Sequence, residues 1–463
     1  MNNFKRDLGS FKDPAGFIIH DDSSIYRIIT KVGLADYKAV RQTPVIRELI
    51  EREWLLDEKA LSIEQASAIS VDAASILMHP KIPFISYPYE WTFSALKQAA
   101  LRHLAIQQHA LIHNVSLVDA SAYNIQFLGA SPIFIDHLSF RPYKIGEFWL
   151  AHQQFCDTFL NPLLLKAYTH IDYQAWYRGS LNGISTVEIN RLLPWYRKFN
   201  LAVFVHVVLP AHFEKKKKQQ AINTLQQKAF SKQAYLNLLI MLENCIKKLV
   251  LPKSQITQWQ TYAKDNHYQA IEKQNKLRFI RTFIEKTKPK QLWDLGCNSG
   301  DYAIAALKAG AEYVIGMDTD IGALENAYER AKQENYNFLP LHIDCMNPTP
   351  AQGWANTERY ALQERTNADA IMALAIIHHL ALSGNVSLSD IIDYLLQLAP
   401  MGVLEFVPKQ DPMVKLMLAI KGDIFPDYHY DNFINLLSRH AEIIQTETIT
   451  EHGRVLIWYE KKK

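Results

Sequence analysis

The stretch from Gln291 to Asp301, which reads QLWDLGCNSGD, constrains the fold more than any other part of the chain. An apolar run ends at Leu295, four small residues follow Gly296, and a helix-compatible segment begins at Tyr302. This order predicts a buried strand, a tight turn and the start of a helix. Ligands of open α/β sheets bind at the carboxyl ends of strands, and small residues let the backbone approach them closely. We therefore expect a nucleoside-type ligand on this turn.

Regular alternation of strand and helix patterns follows this stretch. The last two strands are separated only by residues 449–454, which is too short for the crossover that parallel strands need. The pattern therefore predicts a Rossmann-like α/β domain whose seven-stranded sheet ends in an antiparallel hairpin. The predicted strands are Leu292–Leu295, Tyr313–Met317, Phe338–Ile343, Ala370–Ala375, Val403–Val407, Ile443–Thr448 and Val455–Tyr459.

An acidic residue, Asp318, ends the second predicted strand about twenty residues beyond the glycine-containing turn. Dinucleotide-binding folds place at this spacing the carboxylate that accepts hydrogen bonds from ribose hydroxyls. The turn and the spaced acid together indicate a nucleoside cofactor more strongly than the turn alone.

Residues 270–463 resemble the class I S-adenosylmethionine-dependent methyltransferases. The sequence Asp294-Leu295-Gly296-Cys297-Asn298-Ser299-Gly300 is similar to their first motif, D-x-G-x-G-x-G, with Asn298 at the middle glycine position. Asn tolerates a left-handed backbone, so this departure is compatible with binding. A NAD-binding Rossmann domain is the alternative, but it normally carries G-x-G-x-x-G and lacks the final hairpin.

The resemblance implies S-adenosylmethionine as the cofactor. It places Asp318 on the ribose and Asp344, after the third strand, at the adenine amino group. The full set of cofactor-binding residues that it implies is Asp294, Gly296, Cys297, Asn298, Gly300, Asp318, Thr319, Asp344, Cys345 and Ala375.

Three side chains are candidates for catalysis: His378 and His379 after the fourth strand, and Glu405 in the fifth. A base is needed only if the acceptor's nucleophile arrives protonated, and histidine suits that task near neutral pH. The alternative is structural, with histidines closing the pocket floor and Glu405 paired with Lys409. We expect methyl transfer to an unidentified acceptor, with a small molecule or a protein favoured.

A second constellation lies upstream. Asp119 and Asn124 are five positions apart, and Asp136 ends the next strand, an arrangement that resembles protein kinases and aminoglycoside phosphotransferases. The resemblance implies that Asn124 and Asp136 hold Mg-ATP, with Asp119 as the base. No glycine-rich loop stands in the first eighty residues, which favours a degenerate kinase-like module. The alternative function is a bifunctional or kinase-led, ATP-dependent phosphotransferase fused to a methyltransferase domain.

A length of 463 residues predicts two or three domains. We expect an α+β module at 1–145, a mainly helical connection at 146–269 and the methyltransferase domain at 270–463. The upstream module would recruit the substrate or regulate methyl transfer. The whole arrangement also resembles bacterial nodulation or host-specificity methyltransferases. The lysine run at 215–218 is typical of an exposed connection.

Composition excludes several classes of protein. A net charge of +3 gives no indication of nucleic acid, and no apolar stretch is long enough to span a membrane. Four cysteines occur without a CxxC motif, so neither a zinc site nor a disulfide framework is predicted, and no metal is expected apart from the Mg-ATP case. The absence of a signal sequence predicts a cytoplasmic location. The sequence leaves the acceptor and the oligomeric state open.

Overall fold

A computed structural model describes residues 4–21, 24–69, 73–214, 230–252 and 270–462. The chain forms two compact units. Unit 1 comprises Met1–Ser254 and Gln352–Arg359, and unit 2 comprises Gln255–Ala351 and Tyr360–Lys463. The predicted lysine-rich connection at 215–218 and the predicted domain boundary at 269 lie outside the described residues.

Unit 1 begins with an antiparallel sheet of five strands in the order β1-β2-β3-β5-β4. Its central hairpin pairs Phe17 with Ile28. Two further two-stranded sheets, β6-β9 and β7-β8, lie downstream. The strands are β1 Lys5–Arg6, β2 Gly16–His20, β3 Ile25–Ile29, β4 Lys59–Ala60, β5 Ser75–His79, β6 Val115–Leu117, β7 Ile125–Leu128, β8 Ser131–Phe134 and β9 Phe140–Pro142.

The helices of unit 1 include one long buried element, Phe93–Ile112, which begins where the Thr92 side chain accepts a hydrogen bond from the Ala95 amide. The described residues from His152 onward in this unit are mainly helical. The other α-helices are Leu34–Arg41, Val45–Glu51, Ile63–Ile69, His152–Phe155, Asn161–Thr169, Gln174–Gly179, Thr186–Leu192, Leu201–Val203, Leu209–Glu214 and Lys232–Lys248. Cys156–Leu160 and Phe204–Val208 are π-helical turns, and Leu8–Ser10, Pro88–Glu90, Ala122–Asn124, His137–Ser139, Trp195–Phe199 and Trp354–Asn356 are 3₁₀ turns.

Unit 2 is an α/β domain whose sheet runs in the order β12-β11-β10-β13-β14-β16-β15. Neighbouring strands are parallel up to β14, and β16 is antiparallel to both β14 and β15, as predicted for the final hairpin. All five residues of β10 are buried, as expected when helices cover both faces of a parallel sheet. The strands are β10 Gln291–Leu295, β11 Tyr313–Asp318, β12 Phe338–His342, β13 Ala370–Ala373, β14 Met401–Phe406, β15 Ala441–Thr448 and β16 Val455–Lys461.

The helices of unit 2 lie between these strands and fix where the strands end. Helix Ile321–Gln333 begins at Asp320, whose carboxylate accepts from the Ala323 amide, so β11 is followed immediately by a capped helix. The α-helices are Ala270–Thr287, Asp301–Ala309, Ile321–Gln333, Leu388–Leu398, Pro412–Lys421 and Tyr430–His440, with a 3₁₀ turn at Leu362–Arg365 and a π-helical turn at His379–Ser383. Among the described residues, no helix combines the length and apolar character needed to cross a bilayer.

Candidate functional site

The turn after β10 has the backbone that its small residues allow. Gly296, Asn298 and Gly300 have φ values of 76°, 47° and 79°, all in the left-handed region. Asn298 therefore adopts the conformation that the motif's middle position was predicted to require. A Cβ on Gly300 would lie 2.5 Å from Cε1 of Phe338, so this position excludes any side chain. The helix Asp301–Ala309 follows at once, and the turn presents its backbone at the carboxyl edge of the sheet.

The carboxylate of Asp318 folds back onto this turn. Its Oδ2 accepts a hydrogen bond of 2.8 Å from the Asn298 amide, and its Oδ1 accepts from the amides of Thr319 at 2.7 Å and Asp320 at 2.9 Å. Burial raises the pKa of Asp318, while these three amide donors act in the opposite direction. The acid is thus fixed beside the turn, where the resemblance places the ribose.

The end of β12 brings Asp344 and Cys345 to the same edge. Strand β12 is parallel to β11, and Asp318 lies opposite His342 in the register. The Asp344 carboxylate accepts from the Met346 amide at 2.8 Å. Burial, together with the nearby charges of Asp318 and Asp344, raises the pKa of the Cys345 thiol to about 12. The predicted ribose acid and the predicted adenine-side residues are therefore close neighbours, and the Cys345 thiol is neutral.

Asp294, near the end of β10, and Cys297, within the turn, are both buried. Asp294 is 1% exposed, and its Oδ2 has no hydrogen-bond partner among the described residues. Burial raises the pKa of Asp294 to about 7; the charge of Lys276 opposes that shift and the charge of Asp318 adds to it. Burial also raises the pKa of the Cys297 thiol. A buried carboxylate oxygen without a partner fits a ligand that carries N–H groups or positive charge, as S-adenosylmethionine does.

The two candidate histidines follow β13. Ala375, between the strand and the histidines, has a φ of 52°, a strained value for alanine that turns the chain sharply. The rings of His378 and His379 are 4.2 Å apart between centroids, and Nδ1 of His378 has no partner among the described residues. Burial lowers the pKa of His378 well below its usual value, with the charges of His379, Arg454 and Lys276 acting in the same direction. His378 is therefore neutral at pH 7, and the same burial and charges disfavour its protonated form.

Glu405 is fully buried and is held by two cations. Its Oε2 accepts from Nζ of Lys276 at 2.5 Å, and its Oε1 lies 3.4 Å from the Arg454 guanidinium. Arg454 also binds Asp411 through two contacts of 2.7 and 3.1 Å. The prediction that Glu405 pairs with Lys409 was wrong, because the Lys409 ammonium contacts Asp423 at 2.7 Å.

The ion network formed by Lys276, Glu405, Arg454 and Asp411 was not predicted from the sequence. Lys276 lies in helix Ala270–Thr287, fifteen residues before the start of β10, and Arg454 immediately precedes β16. Both are far from Glu405 in sequence, whereas Lys409 is near it. The one available signal was the buried acid itself, since a buried carboxylate requires a cation or a proton.

In unit 1 the three residues of the kinase-like constellation, Asp119, Asn124 and Asp136, also lie close together. The Asp119 carboxylate accepts from the Ser121 amide at 2.8 Å; burial and the nearby charge of Asp136 raise the pKa of Asp119, whereas this hydrogen bond lowers it. The Asn124 carbonyl accepts from the amide of Ile135, next to Asp136, at 2.9 Å. Asp136 accepts from Arg27 of β3 at 2.8 Å and from the Ser139 hydroxyl. The three predicted residues are thus neighbours, but Asp136 already has a cationic partner. The kinase resemblance of this module stays a prediction.

Comparison with known proteins gives matches over the whole chain and over part of it. The model of the ribosomal protein L11 methyltransferase (PrmA) family matches residues 270–380. The chain is 38% identical over 461 residues to nodulation protein NoeA of Rhizobium meliloti, covering 99% of this chain and 96% of that protein. It is 54% identical over 46 residues to the ribosomal protein L11 methyltransferase of Tolumonas auensis, covering 10% of this chain and 16% of that protein.

Among solved structures, the magnesium protoporphyrin IX methyltransferase of Synechocystis aligns at 17% identity and a TM-score of 0.33. That alignment covers 44% of this chain and 93% of the other. A likeness of this size does not by itself identify the domain.

Proposed function

The chain belongs to the family of nodulation protein NoeA and is an S-adenosylmethionine-dependent methyltransferase, and on that premise we propose which residues bind the methyl donor and which act on the acceptor. The observation that carries the proposal is the contact between the Asn298 amide and the Asp318 carboxylate at 2.8 Å. This contact holds the left-handed turn and the Asp318 carboxylate, which we propose binds the ribose, in a fixed arrangement. S-adenosylmethionine, when bound, supplies a methyl group that its sulfonium already makes electrophilic.

The protein's own task is then to bind, orient and exclude water. Backbone amides of the turn and the acids Asp318 and Asp344 would hold the nucleoside. Asp294 would offer its unpartnered oxygen to the positively charged end of the donor. Alignment of an acceptor against a fixed methyl group supplies much of the rate acceleration in such transfers.

His378 would take the acceptor's proton. A neutral imidazole is the form that accepts protons, but burial and the nearby charges also disfavour the imidazolium of His378, so this role rests on the position of the ring and not on its basicity. Its Nδ1 has no partner among the described residues, and this leaves that atom available to an acceptor hydroxyl or amine. We assign Glu405 a positioning role, because both of its oxygens already face cations. His379 would support the orientation of the His378 ring from 4.2 Å away.

The acceptor is proposed to be a small molecule or a protein, recruited by unit 1. The test is transfer of a labelled methyl group from S-adenosylmethionine to a cell extract separated by size. Wild-type protein should label one size class, and Asp318→Ala should label none. Asp423→Ala, which removes an exposed carboxylate paired with Lys409, should label as the wild type does. No label in any fraction, from protein that binds the donor, would instead indicate a non-catalytic binding protein.

The ATP-dependent alternative has a test of its own in unit 1. The ion pair between Arg27 and Asp136 occupies the carboxylate that a magnesium ion would need, which supports a recruiting role over phosphoryl transfer. We expect Mg-ATP to leave the unfolding temperature of the protein unchanged. A Mg-ATP-dependent rise that Asp136→Ala removes would support the phosphotransferase function.

A further inference from the structure

Three side chains of metal-binding type meet in the helical part of unit 1, and none of them has a role in the site described above. They are His152, Cys156 and His206, all buried, and one ligand atom from each lies within 4.8 Å of the others. Nε2 of His152 is 2.8 Å from Nδ1 of His206, and the Cys156 sulfur is 3.8 Å from that same His152 nitrogen. The three donor atoms therefore converge on one point.

The backbone supports this convergence from two separate helical runs. His152 and Cys156 are four residues apart, so their side chains lie on the same face of the run from His152 to Thr169. That run widens into a π-helical turn beginning at Cys156, and the run from Leu201 to Glu214 widens into a second one that contains His206. Such turns are rare and are found preferentially at functional sites. Both irregularities carry a donor of the same cluster.

The three side chains are shielded from solvent: His152 is 8% exposed, Cys156 1% and His206 0%. His152 would coordinate through Nε2 and His206 through Nδ1, the two nitrogens that face each other at 2.8 Å.

We propose that His152, Cys156 and His206 bind a zinc ion that joins the two helical runs of unit 1. Two imidazole nitrogens and one thiolate are a common donor set for Zn²⁺, and three protein ligands leave its fourth position to water. On binding, the Cys156 thiol releases its proton to solvent and the sulfur coordinates as a thiolate. The site revises the expectation of no metal drawn from the absent CxxC motif, and it is independent of the methyl-transfer proposal.

The geometry needs only a small adjustment. Tetrahedral zinc with Zn–N near 2.05 Å and Zn–S near 2.3 Å separates its ligand atoms by roughly 3.4 Å for two nitrogens and roughly 3.6 Å for nitrogen and sulfur. The sulfur–nitrogen distance of 3.8 Å already fits. The two nitrogens, at 2.8 Å, must move apart by about half an ångström, which is within the reach of ring rotations.

The first test is elemental analysis of the full chain purified from zinc-supplemented cells without chelators. We expect about one zinc per chain, and X-ray absorption at the zinc edge should show one sulfur and at least two imidazole nitrogens. This measurement uses the wild type only, so it does not depend on a variant that folds. Zinc below about a tenth of an equivalent, or a coordination shell without sulfur, would overturn the proposal.

The second test replaces zinc with Co²⁺, whose thiolate complexes absorb in the near ultraviolet. Cys156→Ser should abolish this absorption, and His206→Gln should weaken metal binding at least about tenfold, as loss of a ligand does. Cys245→Ser and His103→Gln are the matched controls, since both residues are buried in unit 1 outside the group of converging ligand atoms. Absorption that survives in Cys156→Ser, or disappears in Cys245→Ser, would refute this ligand assignment.

Discussion

Removal of the Lys276 ammonium is the perturbation whose outcome the structure predicts most sharply. Glu405 is 0% exposed and Lys276 is 2% exposed, and their charged atoms are 2.5 Å apart. Lys276→Met leaves Glu405 and Asp411 sharing the single Arg454 guanidinium, and hence one buried negative charge without a counter-ion. Breaking a buried pair in this way costs about 3–5 kcal/mol, so we expect unit 2 to lose that much stability.

The double variant Lys276→Met/Glu405→Gln separates the ion pair from simple packing. It restores charge balance, because Arg454 and Asp411 remain paired. We expect it to be more stable than Lys276→Met alone, with a coupling free energy of about 2 kcal/mol. Lys409→Met is the control, since Lys409 pairs with the exposed Asp423 and should change stability little.

The assay is urea-induced unfolding followed by tryptophan fluorescence, with Trp293 and Trp458 as buried reporters in unit 2. The transition that S-adenosylhomocysteine moves to higher urea belongs to this unit, which separates it from the unfolding of unit 1. A Lys276→Met cost below about 1 kcal/mol, or additive effects in the double variant, would refute the counter-ion role of Lys276. Glu405 would then be available to bind an acceptor.

Three further predictions concern the turn and its neighbours. Gly300→Ala should destabilise unit 2 by more than Gly310→Ala, because both have positive φ but only Gly300 faces the Phe338 ring; thermal unfolding compares them, and equal losses would contradict this reason. His378→Gln should lower the rate of methyl transfer about 10²–10⁴-fold at unchanged donor affinity, measured with the labelled size class; an unchanged rate would exclude a base role. Because the pKa of Asp294 is raised by burial to about 7, the native state binds more protons than the unfolded state between about pH 4 and pH 7. As the pH rises through that window, the unfolding free energy of the wild type should therefore fall relative to that of Asp294→Asn, by up to about 1.4 kcal/mol per pH unit. A difference between the two unfolding free energies that does not change with pH would contradict the shifted pKa.

The fold of the α/β domain could be predicted from the sequence because the patterns that indicate it lie within short stretches of the chain. Each strand of unit 2 is a short apolar run, and Asp318 is separated from the turn by a fixed distance along the chain. The short link at residues 449–454 sufficed to predict an antiparallel hairpin, which β15 and β16 form. Even the unusual Asn298 was interpretable, because its backbone preference belongs to the residue itself.

The contacts that escaped prediction join residues far apart in the chain. Glu405 needed a cation, but sequence proximity pointed to Lys409 instead of Lys276 and Arg454. The cluster around His206 was hidden for the same reason, since 50 residues separate it from Cys156 and no motif links them. Gln352–Arg359 likewise belongs to unit 1, although it lies within the sequence of the methyltransferase domain.

Calorimetric titration with S-adenosylmethionine tests the central claim most directly. The wild type should bind one donor molecule per chain. Asp318→Ala should lose measurable binding while keeping its far-ultraviolet circular dichroism, because the Asp318 carboxylate orders the turn through the Asn298 amide and is the group proposed to bind the ribose. Unchanged binding by Asp318→Ala, or no binding of the donor or its demethylated product by the wild type, would contradict the assignment of this turn as the cofactor site.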